Sequence, residues 1–214
     1  MGFEITTETQ LRDLLGTPLQ RVLDKDRAAL APEHRAWLAA SPLCLVATSD
    51  VEGRLDVSPK GDPAGFALVI DETTLAIPER PGNRRADGFL NILQNPHVGL
   101  LFLVPGRGDT LRINGRARLL SDAPYVDQMI VQGNRPAVIL EVAVEQVFFH
   151  CAKAFLRSSC GSPRPGPPRQ SQAAHRSPRA SNVRRTRWPS LRPTTARHTA
   201  MASTDEGERY LTPL

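Results

Sequence analysis

Residues able to do chemistry crowd into one run of this chain, RPGNRRADGFLNILQNPHVGLLFL, from Arg80 to Leu103. Pro81-Gly82-Asn83 breaks the chain, Arg84 and Arg85 follow, and a helical segment runs to Asn95-Pro96 before an apolar strand. A helix capped by such a turn leaves unpaired N–H groups beside two cations. That end would attract an anion, most often a phosphate. The same residues also compose an ordinary capped surface helix with solvated arginines, so the run alone leaves both readings open.

Other reactive residue types lack the spacing that chemistry needs. His150-Cys151 suggests a metal pair or a Cys-His nucleophile, but neighbouring strand residues point to opposite faces, which favours structural roles. His34, His97, His175 and His198 form no ligand spacing with cysteine or carboxylate. Asp50, Glu52 and Asp56 flank a turn, and a solvated turn explains them better than acid–base catalysis. Cys44, Cys151 and Cys160 show no CxxC pair, so neither a disulfide frame nor a zinc site is expected. A reducing, cytoplasmic compartment follows as the simple expectation.

The elements that must position the run read as mainly β. Thr9–Leu15 and the stretch after Pro32 have helical spacing, the second ending at Ser41-Pro42. LCLVATSD and LDVSPKGD make a hairpin around Gly53, and FALVI and TLAIP make a second around Asp71-Glu72. After the helix of the opening run come the strands VGLLFLV and TLRINGRARLL, a helix in APYVDQMIVQG, and a final extended segment AVILEVAVEQVFFHC. About six strands joined mostly by turns predict a small barrel with short flanking helices rather than a doubly wound sheet.

Charge divides the chain near Arg157. From residue 158 onward there are ten arginines, no lysine and three acids, a balance of +7 against +5 for the whole chain, leaving −2 for the rest. This Arg/Pro/Ser-rich stretch, 158–214, has no helical or strand period and is expected to be disordered, leaving 1–157 as the folded domain. Clustered arginine with Trp188 fits a nucleic-acid arm, but a lone aromatic and no nucleic-acid module argue against it. A GC-rich gene read out of frame would give the same composition. The N-terminal MGFEITTETQLRDLL is acidic and amphipathic, which fits neither a signal peptide nor a membrane anchor.

The segments DVSPKGDPAGF, TLAIPERPGNRRADGFLNILQNPHVGLLFLVPG, TLRINGRA and FFHCAKAFLRS together resemble the FMN-binding split-barrel superfamily typified by pyridoxamine 5′-phosphate oxidase. More narrowly they resemble its branch of FMN-dependent enzymes whose substrate is unassigned. The likeness covers residues 5–157 and stops before the tail. It implies an FMN-binding split β-barrel whose loop and helix start hold the FMN phosphate through Asn83, Arg84 and Arg85, with Lys60 from the preceding hairpin. Val57 and Ser58, then Ile77 and Pro78, match positions that meet the isoalloxazine ring or ribityl chain. Thr110 aligns with a further flavin contact.

The resemblance also implies a homodimer with both flavins at the interface, and dimerisation would cover strand edges that a half-open barrel leaves unpaired. The expected activity is an FMN-dependent oxidoreductase on a small-molecule redox substrate, with the redox step at the flavin. No side chain stands out as an acid or base. The SPKGDP and PERPGNRR segments depart from the vitamin oxidase pattern, and the C-terminal substrate region has no match, so pyridoxamine phosphate oxidation itself is not implied. Relatives carry an ordered, Trp-bearing segment where this chain has its tail. The alternatives are a flavin-binding protein without turnover, a deazaflavin in place of FMN, and nucleic-acid binding through the tail.

Overall fold

The computed structural model describes residues 2–160, all within one compact unit spanning Met1–Arg164. Residues 161–214, which hold nearly all of the expected tail, lie outside the described residues. Alternation of apolar and polar residues sets the sheet. β1 (Leu43–Ser49) buries Cys44, Val46 and Thr48 on one face, and β5 (His97–Leu103) buries Val98, Leu100 and Phe102 in the same way. β2 (Leu55–Gly61), β3 (Leu68–Val69), β4 (Thr74–Pro78), β6 (Thr110–Leu120) and β7 (Ile139–His150) complete the sheet.

The seven strands run β2-β1-β5-β6-β7-β4-β3, every neighbouring pair antiparallel. The sheet does not close, so β2 and β3 remain edges. This is the expected mainly β split-barrel architecture, with seven strands where the sequence reading gave about six. The long β6–β7 ladder shifts register between Asn114 and Gly115. A Cβ at Gly115 would lie 2.0 Å from the carbonyl oxygen of Ala143, so only glycine lets the two backbones approach there.

The helices are short. α1 (Glu8–Leu15) starts with a capping box between Thr7 and Gln10, and α2 (Gln20–Leu23) is a single turn. α3 (Pro32–Ala40) has its proline in the first turn, and Nδ1 of buried His34 accepts the Ala31 N–H at 3.1 Å. Trp37 and Leu38 of α3 join Leu75, Ile77, Phe102, Ile113 and Val147 in the main core. Each such fully buried side chain contributes about 1.5–3 kcal/mol. α4 (Asp87–Gln94) packs Ile92 onto that core, and α5 (Lys153–Ser158) follows β7 across the expected boundary at Arg157.

Two elements differ from the sequence reading. APYVDQMIVQG forms only a 3-10 turn, Val126–Met129, because Val126 and Met129 are buried three residues apart. That spacing suits a three-residue turn as well as an α-helix, and the left-handed Gln132 and Gly133 then reverse the chain. FALVI contributes only Leu68–Val69 to the sheet, since Phe66 and Ala67 turn into the core instead.

Candidate functional site

A cavity of about 1000 Å³ opens where β2, the end of β4, the loop from Glu79 to Ala86 and the start of α4 meet the loop that leads into β7. Antiparallel pairing places Ser58 opposite Val46 and Lys60 opposite Cys44, so Asp56, Ser58 and Lys60 share the face of β2 that continues the buried face of β1. On that face they meet the start of α4 and the cavity: Gly88 lies against Asp56 and Ser58, and Lys60 reaches the Phe89 ring. Asp56, read from sequence as part of a solvated turn, instead lines the cavity and accepts the Ser58 hydroxyl at 2.6 Å. Asp50 keeps the turn role: its carboxylate accepts the Glu52 and Arg54 N–H groups, both at 2.9 Å, and the Arg54 backbone bond leads in holding it below the usual carboxylate range.

The turn before α4 does not cap the helix as expected. The helix begins at Asp87 with Ala86 as its first flanking residue, and no side chain satisfies its first N–H groups. Asn83 instead closes a local turn by accepting the Arg85 N–H at 3.0 Å. Arg84 and Ala86 both sit in the left-handed region, at φ 61 and 58. Such conformations turn successive N–H groups toward one side, which makes an anion-binding concavity. Gly88 lets the start of α4 approach β1 and β2 closely, because a Cβ there would lie 3.0 Å from Asp56 Oδ2 and 3.4 Å from the Thr48 hydroxyl.

Five cationic side chains line the cavity, and four of them have carboxylate partners. Lys60 pairs with Glu79 and lies over the Phe89 ring at 4.7 Å. Arg80 donates to Asp62 at 2.5 Å and to the Met129 and Asn134 carbonyls at 2.7 and 3.1 Å, which pins the loop carrying Arg135. Arg85 pairs with Asp87 at 2.7 Å, and Arg135 with Asp122 at 2.6 Å. Arg84 alone of the five has no carboxylate partner among the described residues.

Of the nine residues expected at the site, Val57, Ser58, Lys60, Pro78, Asn83, Arg84 and Arg85 line this one cavity. Ile77 does not: its side chain is 1% exposed and points into the core. Thr110 is also buried, at the start of β6 opposite His150, and does not line the cavity. Sequence reasoning missed Asp56, Glu79, Phe89 and Arg135. Lys60 and Glu79 are nineteen residues apart, and no local spacing signals their pairing. His150 packs its ring on Phe148 at 4.9 Å while Cys151 is exposed, and no metal-holding cluster occurs among the described residues.

An open antiparallel sheet with a basic cavity at an edge hairpin and helix start defines a split-barrel protein. The chain belongs to the pyridoxamine 5′-phosphate oxidase family, whose profile matches residues 30–151. Similar solved structures include a variant of HupZ from Group A Streptococcus, 21% identical with a TM-score of 0.46, over 56% of this chain and 99% of that one. A candidate pyridoxamine 5′-phosphate oxidase of Lactobacillus delbrueckii is 23% identical with a TM-score of 0.45, over 57% and 95%. An FMN-binding protein of Syntrophomonas wolfei is 13% identical with a TM-score of 0.43, over 67% and 96%. No curated protein matches the chain.

Proposed function

We propose that this protein is an FMN-dependent oxidoreductase that acts on a small redox substrate as a homodimer. The observation that carries the reading is Arg84, a cation without a carboxylate partner among the described residues, beside an uncapped helix start and a left-handed turn in one cavity. The donor set fits a phosphate monoester: charge-assisted bonds from Arg84 and Arg85 and N–H donors from the first turn of α4 suit a doubly charged group. Lys60 enters the same cavity already neutralised by Glu79, so an anion gains less from it than from Arg84.

Bound there, FMN would supply two-electron redox chemistry that no side chain of the cavity provides. The protein's part is to bind and orient. Ser58, fixed by Asp56, presents an oriented hydroxyl; Val57, Pro78 and the Phe89 ring give apolar surface; and Asn83 holds the turn that carries Arg84 and Arg85. Ile77 is left with backbone contacts only. Thr110 would have to reach a flavin from the second subunit.

Homodimerisation is supported by the sheet face opposite the core. Leu43, Leu45 and Ala47 of β1 point away from buried Cys44 and Val46, beside Leu55 and Val57 of the edge strand, which are 80% and 60% exposed. An apolar face next to an unpaired edge is the kind of surface a second copy covers. No described helix is long and apolar enough to cross a membrane, and the free cysteines accord with the cytoplasmic placement we propose.

The test is an absorption spectrum of the purified protein, with the chromophore released by heat and weighed. Stoichiometric FMN that a nicotinamide donor reduces supports the oxidoreductase reading. FMN without reduction by any donor leaves a flavin-binding protein, a deazaflavin mass changes the cofactor, and failure to bind added flavin overturns the proposal.

A further inference from the structure

The first 25 residues carry apolar side chains that nothing among the described residues covers. Leu11, Leu14 and Leu15 fall at i, i+3 and i+4 of α1, and Leu19, Val22 and Leu23 repeat the spacing around α2. All six are exposed, Leu14 and Leu15 at 70% and 75%, and no residue of either helix is buried. An eight-residue helix is marginal in water by itself, even with the capping box that α1 has, and gains most of its stability by packing an apolar face. The arm is anchored behind this stretch, where Gln146 donates to Asp26 at 2.5 Å and Arg27 bridges Val147.

A second unpartnered apolar stripe lies beside the cavity. Leu90 and Leu93, three residues apart on α4, are 53% and 72% exposed while Ile92 faces the core. The charges at the two places are complementary. Residues 2–16 hold Glu4, Glu8 and Asp13 against Arg12, a balance of −2, whereas the mouth of the cavity presents Arg84 with the positive end of α4.

We propose that α1 of one copy packs across Leu90 and Leu93 of α4 in a second copy, so that the acidic N-terminal arm covers the basic mouth of its partner's cavity. The inference rests on the homodimer proposed above but names a different contact from the sheet face. It makes the cavity a shared structure, with walls from one chain and part of its cover from the other.

The test uses the full chain with Cys151→Ser and Cys160→Ser, leaving only buried Cys44. A chain carrying Leu14→Cys is co-expressed with a differently tagged chain carrying Leu93→Cys, and the mixture is oxidised. The mixed disulfide is expected to form at least about tenfold faster than with a Val51→Cys partner, whose position is equally exposed, at 71%, but lies in the β1–β2 turn. Equal rates overturn the contact.

Sedimentation then separates the arm from the dimer. Leu14→Asp with Leu15→Asp should raise the dimer dissociation constant at least about tenfold, since two leucines leave an apolar contact. An unchanged dimer with no mixed disulfide overturns the arm contact and leaves the sheet-face dimer standing. A wild-type chain that stays monomeric overturns both, and slow alkylation of Leu14→Cys in that monomer would assign the cover to another segment of the same chain.

Discussion

Replacing Arg84 by glycine separates what its charge does from what its backbone does. At φ 61 an ordinary residue is held in a conformation that costs about 1–2 kcal/mol. Glycine removes that strain but adds about 0.5–1 kcal/mol of backbone entropy loss on folding. The folded protein should therefore be as stable as wild type or gain up to about 1.5 kcal/mol. Arg84→Ala, which keeps the strained geometry, should leave stability close to wild type, because the side chain has no carboxylate partner among the described residues to lose.

Flavin binding should respond in the opposite direction. A hydrogen bond to a charged group contributes about 1.5–3 kcal/mol, so either substitution should raise the FMN dissociation constant by about 10- to 150-fold. Arg85→Ala should do less, because Arg85 already bonds Asp87 and an incoming phosphate must compete for it. The assay is quenching of FMN fluorescence on titration, with urea unfolding on the same samples. Binding by Arg84→Gly within twofold of wild type would refute the phosphate site. Binding and stability that fall together would also refute it, since the loss would then come from the fold.

Three further outcomes follow from packing and protonation. Gly88→Ala should weaken FMN binding, because a Cβ 3.0 Å from Asp56 Oδ2 displaces the carboxylate that fixes Ser58, while the cost of that shift offsets the helical gain of alanine, at most about 1 kcal/mol, and leaves stability near wild type; paired melts and titrations read both. Gly115→Ala should cost about 3 kcal/mol or more in urea unfolding, because its Cβ would meet the Ala143 carbonyl at 2.0 Å and part the β6–β7 ladder. His34 is held below its ordinary pKa of 6.5, chiefly by burial and further by Arg27, with Glu33 opposing. The unfolded chain therefore takes up the proton first, and stability should fall as pH drops below about 6.5. His150 adds to the same trend, so the slope of the urea midpoint between pH 7 and 5 should shrink, not vanish, in His34→Asn, where the amide oxygen can accept the Ala31 N–H without titrating.

The strands were legible because they alternate or run apolar between turn residues: β1, β2, β4, β6 and β7 lie within the segments read from sequence, and β5 starts one residue earlier, at His97. What composition and period could not show was closure. Whether a run of antiparallel strands meets itself depends on long-range pairing, and here β2 and β3 are left at opposite ends of the order. The turn at Val126–Met129 misread as a helix shows the same limit at short range, since an i, i+3 apolar pair satisfies both helix types. The glycine at 115 signals a bulge only when its partner strand is known.

The candidate site was legible as a set of residue types and hidden as a set of pairings. PERPGNRR announces four of the cavity's charged groups, and sequence gives no reason to rank Arg84 above Arg85. In three dimensions they separate. Arg80 donates to Asp62 and two carbonyls and holds a loop in place; Arg85 is shared with Asp87; Arg84 has no carboxylate partner among the described residues. The distinction arises because Asp62 and the Met129 and Asn134 carbonyls arrive from segments 18 to 54 residues away, and folding fixes which cation Asp62 neutralises and the carbonyls hold. An anion entering the cavity meets a field set by what those carboxylates leave over. By that argument Arg84, held in a left-handed turn, is where the proposed phosphate would gain most, with the other arginines shaping the walls around it.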